Sequence, residues 1–335
     1  VDPLTQGAIG AVVAATQAKP QQVSAALFLG ALAGMAPDLD VLIRSESDSL
    51  LFLEYHRQFT HALFFIPFGA FICTLVLHPL IGKRRGLSAG QTYLFCLLGY
   101  ATHGLLDACT TYGTLLMWPF SDARVAWNTL SIIDPLVTLP LILGIGLSVA
   151  YQQRLPVTIA TAYFAAYLVL GVVQRERAEQ VGWQIAAERG HSPIRLEAKP
   201  SFANIALFKV VYEVDHHFYV DAVHVGMRER VYQGESIAKL DVARDLPWLD
   251  QGHQQAIDIE RFRWFSNDYL ALDPDDANKI VDIRYSLMPN QIDALWSIHI
   301  DPTATADQHA VYQTHRGETR ELAPRLWSMI LGRDA

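Results

Sequence analysis

The stretch ALFFIPFGAFICTLVLHPLI, Ala62 to Ile81, runs for 20 residues without an acid, a lysine or an arginine. About 20 apolar residues in a helix cross a hydrocarbon core of roughly 30 Å, so this stretch reads as a transmembrane helix. Working outward, Thr92–Cys109 is apolar apart from His103 and Asp107, Ile132–Tyr151 is apolar behind Asp134, and Val157–Val173 is a further run. Four transmembrane helices are expected. Upstream, Leu4–Thr16 and Val23–Ala36 are shorter runs joined by QAKPQQ, each too short to cross singly, and they read as a re-entrant helical hairpin. The N-terminal part is therefore expected to be a membrane all-α helical bundle.

Charge divides the chain. Residues 1–173 carry 8 of its 26 Lys and Arg and 9 of its 34 Asp and Glu; the rest has the charge density of an ordinary soluble domain. After Val173 comes the polar helical stretch QRERAEQVGWQIAAER, then alternation in ALFKVVYEV, HFYVDAVHV, RVYQGESIAKL, KIVDIRYSL and ALWSIHI, with a helical stretch near Asp258–Leu270. This pattern predicts a small α+β extramembrane domain built on an antiparallel sheet. The expected domains are 1–173 in the membrane, 174–199 as polar helix and linker, and 200–335 as the soluble α+β domain. The net charge of −8 and the lack of a basic tract speak against nucleic acid as a partner. The three cysteines, Cys73, Cys96 and Cys109, show no CxxC spacing, and VDPLTQGAIG lacks the basic start of a cleaved signal.

Lysine and arginine set the orientation. Lys83, Arg84 and Arg85 in one short loop and Arg154 in another are expected on the cytoplasmic side, with Lys19 at the hairpin tip. That arrangement gathers Asp38, Asp40, His56, His61, His103 and Asp107 at the periplasmic face, along with the C-terminal domain. Ionisable groups beside lipid are costly unless paired, hydrated or metal-bound, so the six read as metal ligands. His103 and Asp107, four residues apart, share a helical face. Pro37 should end its helix and leave Asp38 and Asp40 in an extended turn, with one of them able to bridge two ions. Thr60 should cap the first span and put His61 in its first turn. Nitrogen and oxygen donors without thiolate suit a divalent metal, zinc first and manganese or iron(II) next, one or two ions. Asp38, Asp40 and Arg57 are the expected catalytic groups. Arg57, Thr110, Gly113, Trp118, Arg124 and Trp127 are expected at the substrate mouth, with Arg44 nearby. Asp134 before Pro135 reads as an N-cap, His78 falls at the far end of its span, and His216–His217 read as a hairpin turn.

The motifs PDLD, HRQFTH and HGLLDACTTYGT, followed by WPFSDARVAW and SIIDP, closely resemble the YdjM-like family of bacterial inner-membrane proteins, predicted to be metal-dependent hydrolases. The resemblance covers roughly residues 1–150 and implies a metal site at the same six residues. It also suggests a distant likeness to zinc-dependent phospholipase C and P1-type nucleases. Many family members carry a Thr-His pair where this chain has Thr5-Gln6, and amide oxygen is a weak ligand, so a third metal position is doubtful. The expected function is a membrane-embedded metal-dependent hydrolase whose metal-bound hydroxide attacks an ester or phosphodiester of a membrane lipid or lipid-linked substrate at the periplasmic face of the inner membrane. The alternative is a non-enzymatic scaffold with a structural metal site and a partner-binding outer domain. Nothing in the pattern specifies an oligomeric state.

Overall fold

A computed structural model describes residues 1–315 and 319–334. The chain packs as two units, a helical one from Val1–Leu42, Tyr55–Val172 and Phe202–Asn204, and a sheet unit from Ile43–Glu54, Val173–Ser201 and Ile205–Ala335. Thus Ile43–Glu54, a short segment between the aspartate and histidine motifs, packs with the sheets although its flanks belong to the helices.

The helical unit holds α1 (Pro3–Thr16), α2 (Val23–Met35), the end of α3 (Leu51–Tyr55), α4 (Ile66–Leu77), α5 (Ala89–Ala108), α6 (Pro135–Tyr151) and the first half of α7 (Leu155–Glu188). Ser88 and Gln91 form a capping box at the start of α5, and Asp134 caps α6 with Pro135 in its first turn. Helices α2 and α5 meet at glycines: a Cβ on Gly99 would lie 2.3 Å from the Gly30 carbonyl oxygen. Only a pair of bare backbones allows that approach, which draws the C-terminal end of α2 onto α5.

Among the described residues, three helical segments are long and apolar enough to cross a membrane: Pro20–Leu42, Leu63–Arg85 and Leu155–Glu188. The first differs from the expected short hairpin arm. Short 3-10 turns at Pro20–Gln22 and Ala36–Leu42 extend α2 at both ends, because a 3-10 turn tolerates the missing N–H of Pro37 that an α-helix interior does not. Asp38 and Asp40 accordingly lie in a helical turn and not in an extended one. α6 is a shorter apolar helix, and α5 carries His103 and Asp107 within its 20 residues. The run Val157–Val173 and the polar stretch after it form the single helix α7.

Among the described residues, the sheet unit contains two antiparallel sheets where one was expected. The first has β1 (Arg195–Pro200), β2 (Leu207–Val214), β3 (His217–Val225) and β4 (Glu229–Tyr232) in order, with β5 (Ser236–Ala238) also on β3. The second has β6 (Leu270–Asp273), β7 (Asp276–Asp282), β8 (Trp296–His299) and β9 (Val311–Thr314) in order. RVYQGESIAKL, read as one strand, splits into β4 and β5 because the chain at Gly234 presses against the Val220 and Asn290 carbonyls, where a Cβ would sit 2.1 and 2.3 Å from their oxygens. Asp215 and His216 both have positive φ and form the two-residue turn between β2 and β3, so of the pair expected in the turn His216 lies in it and His217 opens β3. Val211, Phe218 and Val220 from the first sheet pack with Ala271 and Val281 from the second and with Tyr269 just before β6. Helix α8 (Val242–Asp245) is one turn, and α9 (Gln254–Phe265) ends before Leu270 because Asn267 and Asp268 take positive φ and start β6. The amphipathic α10 (Thr319–Ile330) covers Leu207, Ala222 and Met288.

Candidate metal centre

Four of the six candidate ligands converge inside the helical unit. Asp38, His61, His103 and Asp107 form one group, and Asp38, Asp40 and His56 form a second that shares Asp38. His61 Nε2 lies 2.9 Å from His103 Nε2, 3.5 Å from Asp38 Oδ1 and 3.2 Å from Asp107 Oδ2. His103 Nε2 lies 3.3 Å from Asp38 Oδ1 and 3.6 Å from Asp107 Oδ2. A tetrahedral ion bound at about 2.0–2.1 Å has ligand-to-ligand edges of roughly 3.4 Å. Five of the six edges among the four atoms fall between 2.9 and 3.6 Å, near that value, and all four atoms lie within 4.8 Å of one another.

Their hydrogen bonds fix which atoms face the centre. His103 Nδ1 lies 2.5 Å from the Gly34 carbonyl oxygen, so it carries the proton and donates, leaving the Nε2 lone pair pointing inward. Thr60 Oγ1 donates to Asp40 Oδ2 at 3.0 Å and so accepts from His61 Nδ1 at 2.9 Å. His61 also presents an Nε2 lone pair. With both rings neutral, two imidazole lone pairs and two carboxylate oxygens face one another as acceptors, and either a proton on His61 Nε2 or a cation among them relieves their repulsion. A plausible divalent-metal site is therefore present, with the outward ring N–H groups held by the Gly34 carbonyl and the Thr60 hydroxyl, which fix the orientation of both rings.

Asp40 sits one shell out. Its oxygens accept from His56 Nδ1 at 2.8 Å, the Arg57 backbone N–H at 3.0 Å and Thr60 Oγ1, so this buried carboxylate binds the His56–His61 segment to the end of α2. Arg57 is also buried, with φ of 65°; its Nε lies 3.1 Å from Asp107 Oδ2 and its NH1 donates to Thr110 Oγ1 at 3.0 Å. A non-glycine residue in the left-handed region is held there by its surroundings, here by Asp40 on its backbone and Asp107 on its side chain. Three carboxylates, Asp38, Asp40 and Asp107, gather around the two rings, and the Arg57 guanidinium lies against Asp107.

Gln6 is fully buried on α1, donating to Asp107 Oδ1 at 2.9 Å; its Oε1 has no hydrogen-bond partner. Asp107 Oδ1 also accepts from the Val1 nitrogen at 2.5 Å. Arg124 donates to the Gly113 carbonyl at 3.0 Å and its guanidinium lies over the Tyr112 ring, as does that of Arg57. Trp118 packs on Phe59, and Trp127 is exposed. Asp134 accepts from the Leu136 N–H and the Tyr167 hydroxyl, the partners of a helix cap. Arg44 belongs to the sheet unit, over Phe52. His78 bonds to Thr92.

Two expectations change. His61 ends a separate 3-10 turn, Phe59–His61, and α4 begins only at Ile66; Thr60 caps no helix because its hydroxyl is spent on Asp40 and His61. Sequence reasoning also missed the supports. The Tyr100 hydroxyl donates to the Thr60 carbonyl at 2.8 Å, and a Cβ on Gly104 would lie 2.1 Å from the His61 carbonyl oxygen. The one available signal was the adjacency of Gly104 to His103.

The YdjM inner membrane protein family matches residues 1–178, more than half of the chain. Inner membrane protein YbcI of Escherichia coli (strain K12) is 37% identical over 112 residues, 32% of this chain and 61% of YbcI. Uncharacterized protein YfhP of Bacillus subtilis (strain 168) is 28% identical over 113 residues, 33% of each chain. The chain thus spans less than two thirds of either relative's length. No solved structure matches it. With its aspartate and histidine motifs inside the matched region, the chain belongs to the YdjM family of inner membrane proteins.

Proposed function

We propose that this protein is a multi-pass inner-membrane, metal-dependent hydrolase acting on an ester or phosphodiester of a lipid or lipid-linked substrate. The observation that carries this reading is the set of four inward-facing acceptors of Asp38, His61, His103 and Asp107, spaced for one divalent ion. Zinc is the proposed ion, and when bound it would supply a Lewis acid and a water acidic enough to ionise near neutral pH. The residues around it do the rest. His103 and His61 are held in one tautomer by Gly34 and Thr60, Arg57 offsets the charge of Asp107, and Asp38, about a quarter exposed, is the ligand that faces a substrate. Asp40 and His56 together with Asp38 offer a second position. By loop charge, the membrane helices would turn the site and the sheet unit to the periplasm.

The test is purification with metal analysis and a hydrolysis screen over phospholipids. His61→Ala and His103→Ala should each abolish bound metal and turnover together; activity in metal-free protein would sink the proposal. A second reading has one observation in its favour. Four protein ligands can close a tetrahedral site, as structural zinc sites do, and the protein would then be a scaffold whose outer unit binds a partner. A metal that binds a small anionic inhibitor and exchanges water favours catalysis, and one that does neither favours the scaffold.

A further inference from the structure

An apolar groove of about 560 Å³ lies against the metal centre within the helical unit, between the end of α2, α4 and α5. Its far end is at Val76 and Leu77 on α4, and its near end is at Leu39 and Thr60. Leu39 stands between the two aspartates of the site, and Thr60 bonds to Asp40 and His61. The groove is apolar along its length and meets polar groups at the metal end alone. Tyr100 also lines it, and its hydroxyl holds the Thr60 carbonyl.

Resting on the hydrolase reading above, we propose that this groove binds one acyl chain of a diacyl glycerophospholipid and thereby sets the ester or phosphodiester of that lipid at the metal centre. Two features identify the occupant. Pro20–Leu42 and Leu63–Arg85, whose residues form two of its walls, are long and apolar enough to cross a membrane, and Leu39, Ile72 and Val76 are exposed, so what reaches the groove is lipid. From Ile66 to Leu77, α4 rises by about 16 Å, close to the roughly 15 Å of one leaflet. That length suits an acyl chain and is short for a long polyisoprenoid. The volume also falls within the ordinary range for small-molecule sites.

The full chain, purified in mild detergent and titrated with 1-palmitoyl-2-oleoyl-phosphatidylglycerol, should retain one lipid per chain in native mass spectrometry under conditions that strip annular lipid. Ile72→Trp and Val76→Trp, both at exposed positions that leave packing intact, should each lower that retention at least tenfold with metal content unchanged. The double variant His61→Ala/His103→Ala should lose metal and keep the lipid. Equal retention by wild type and both groove variants overturns the proposal, as does displacement of the lipid by a polyisoprenyl phosphate and not by a second diacyl lipid. A wild-type protein that takes up no metal but shows the groove-dependent lipid would overturn the metal reading and leave the lipid site standing.

Discussion

Gly104→Ala separates the seating of His61 from its chemistry. The new methyl carbon would fall 2.1 Å from the His61 carbonyl oxygen and 3.1 Å from its carbonyl carbon, where ordinary contact begins at 3.4 Å. The Phe59–His61 turn must therefore back away by about 1.3 Å, whereas a metal site tolerates ligand displacements of about 0.2 Å. Tyr100 and Asp40 hold the turn from other sides and prevent it from rotating to compensate. In an unhindered helix interior the same change stabilises by about 0.5–1 kcal/mol; here overpacking costs about 1–3 kcal/mol, leaving a modest net loss. Metal affinity should fall far more steeply, at least about 100-fold, beyond the 10–100-fold effect of losing an outer-shell partner. Gly146→Ala, with nothing within 4 Å of its Cβ, is the control and should keep both metal and stability. The assay is metal content after dialysis against a graded metal buffer, with thermal unfolding alongside. Wild-type metal affinity in Gly104→Ala would refute the placement of His61 in the centre.

Asp38→Asn and Asp107→Asn should each lower bound metal below half an equivalent by elemental analysis, and chelation of the wild type should lower its melting temperature, since a ligand of the folded state stabilises it by mass action. Thr60→Val keeps shape but removes the hydroxyl between Asp40 and His61; metal affinity should drop about 10–100-fold with the fold intact by circular dichroism. Arg261→Met leaves Asp48, Glu54 and the fully buried Asp258 without their shared cation. It should cost about 2–3 kcal/mol, somewhat less than loss of a fully buried partner, seen as faster hydrogen exchange in residues 43–54. Burial pushes the Lys209 amine down to about 7, and it donates to Ser286 and the Gln291 carbonyl. The unfolded chain then holds the extra proton between about pH 7 and 10.5, so the local stability of β2 should rise with pH across that window. Lys209→Met should flatten the rise in exchange measurements; an unchanged slope would remove Lys209 as its source.

Much of this was legible from one dimension. The apolar run at Ala62–Ile81, the i, i+4 pairing of His103 with Asp107, the Asp134-Pro135 helix start and the strand alternation from Ala206 onward are local patterns, and local patterns follow from the 3.6 and 2.0 residue periods. The six ionisable residues could be named because lipid makes each of them conspicuous. Their division of labour could not. Asp38 and Asp40 are equivalent in a string, yet one faces the centre and the other accepts hydrogen bonds from His56, Arg57 and Thr60, a difference set by which helix each meets. The same holds for Gly30, Gly99 and Gly104, whose missing side chains let distant backbones touch, and for Ile43–Glu54, which joins the sheet unit through Arg261 more than 200 residues later. Periodicity and the cost of charge in lipid determined the membrane helices and the candidate ligands; close approach between segments far apart in sequence decided how those ligands face one another, because packing and hydrogen-bond geometry exist only once the chain has folded.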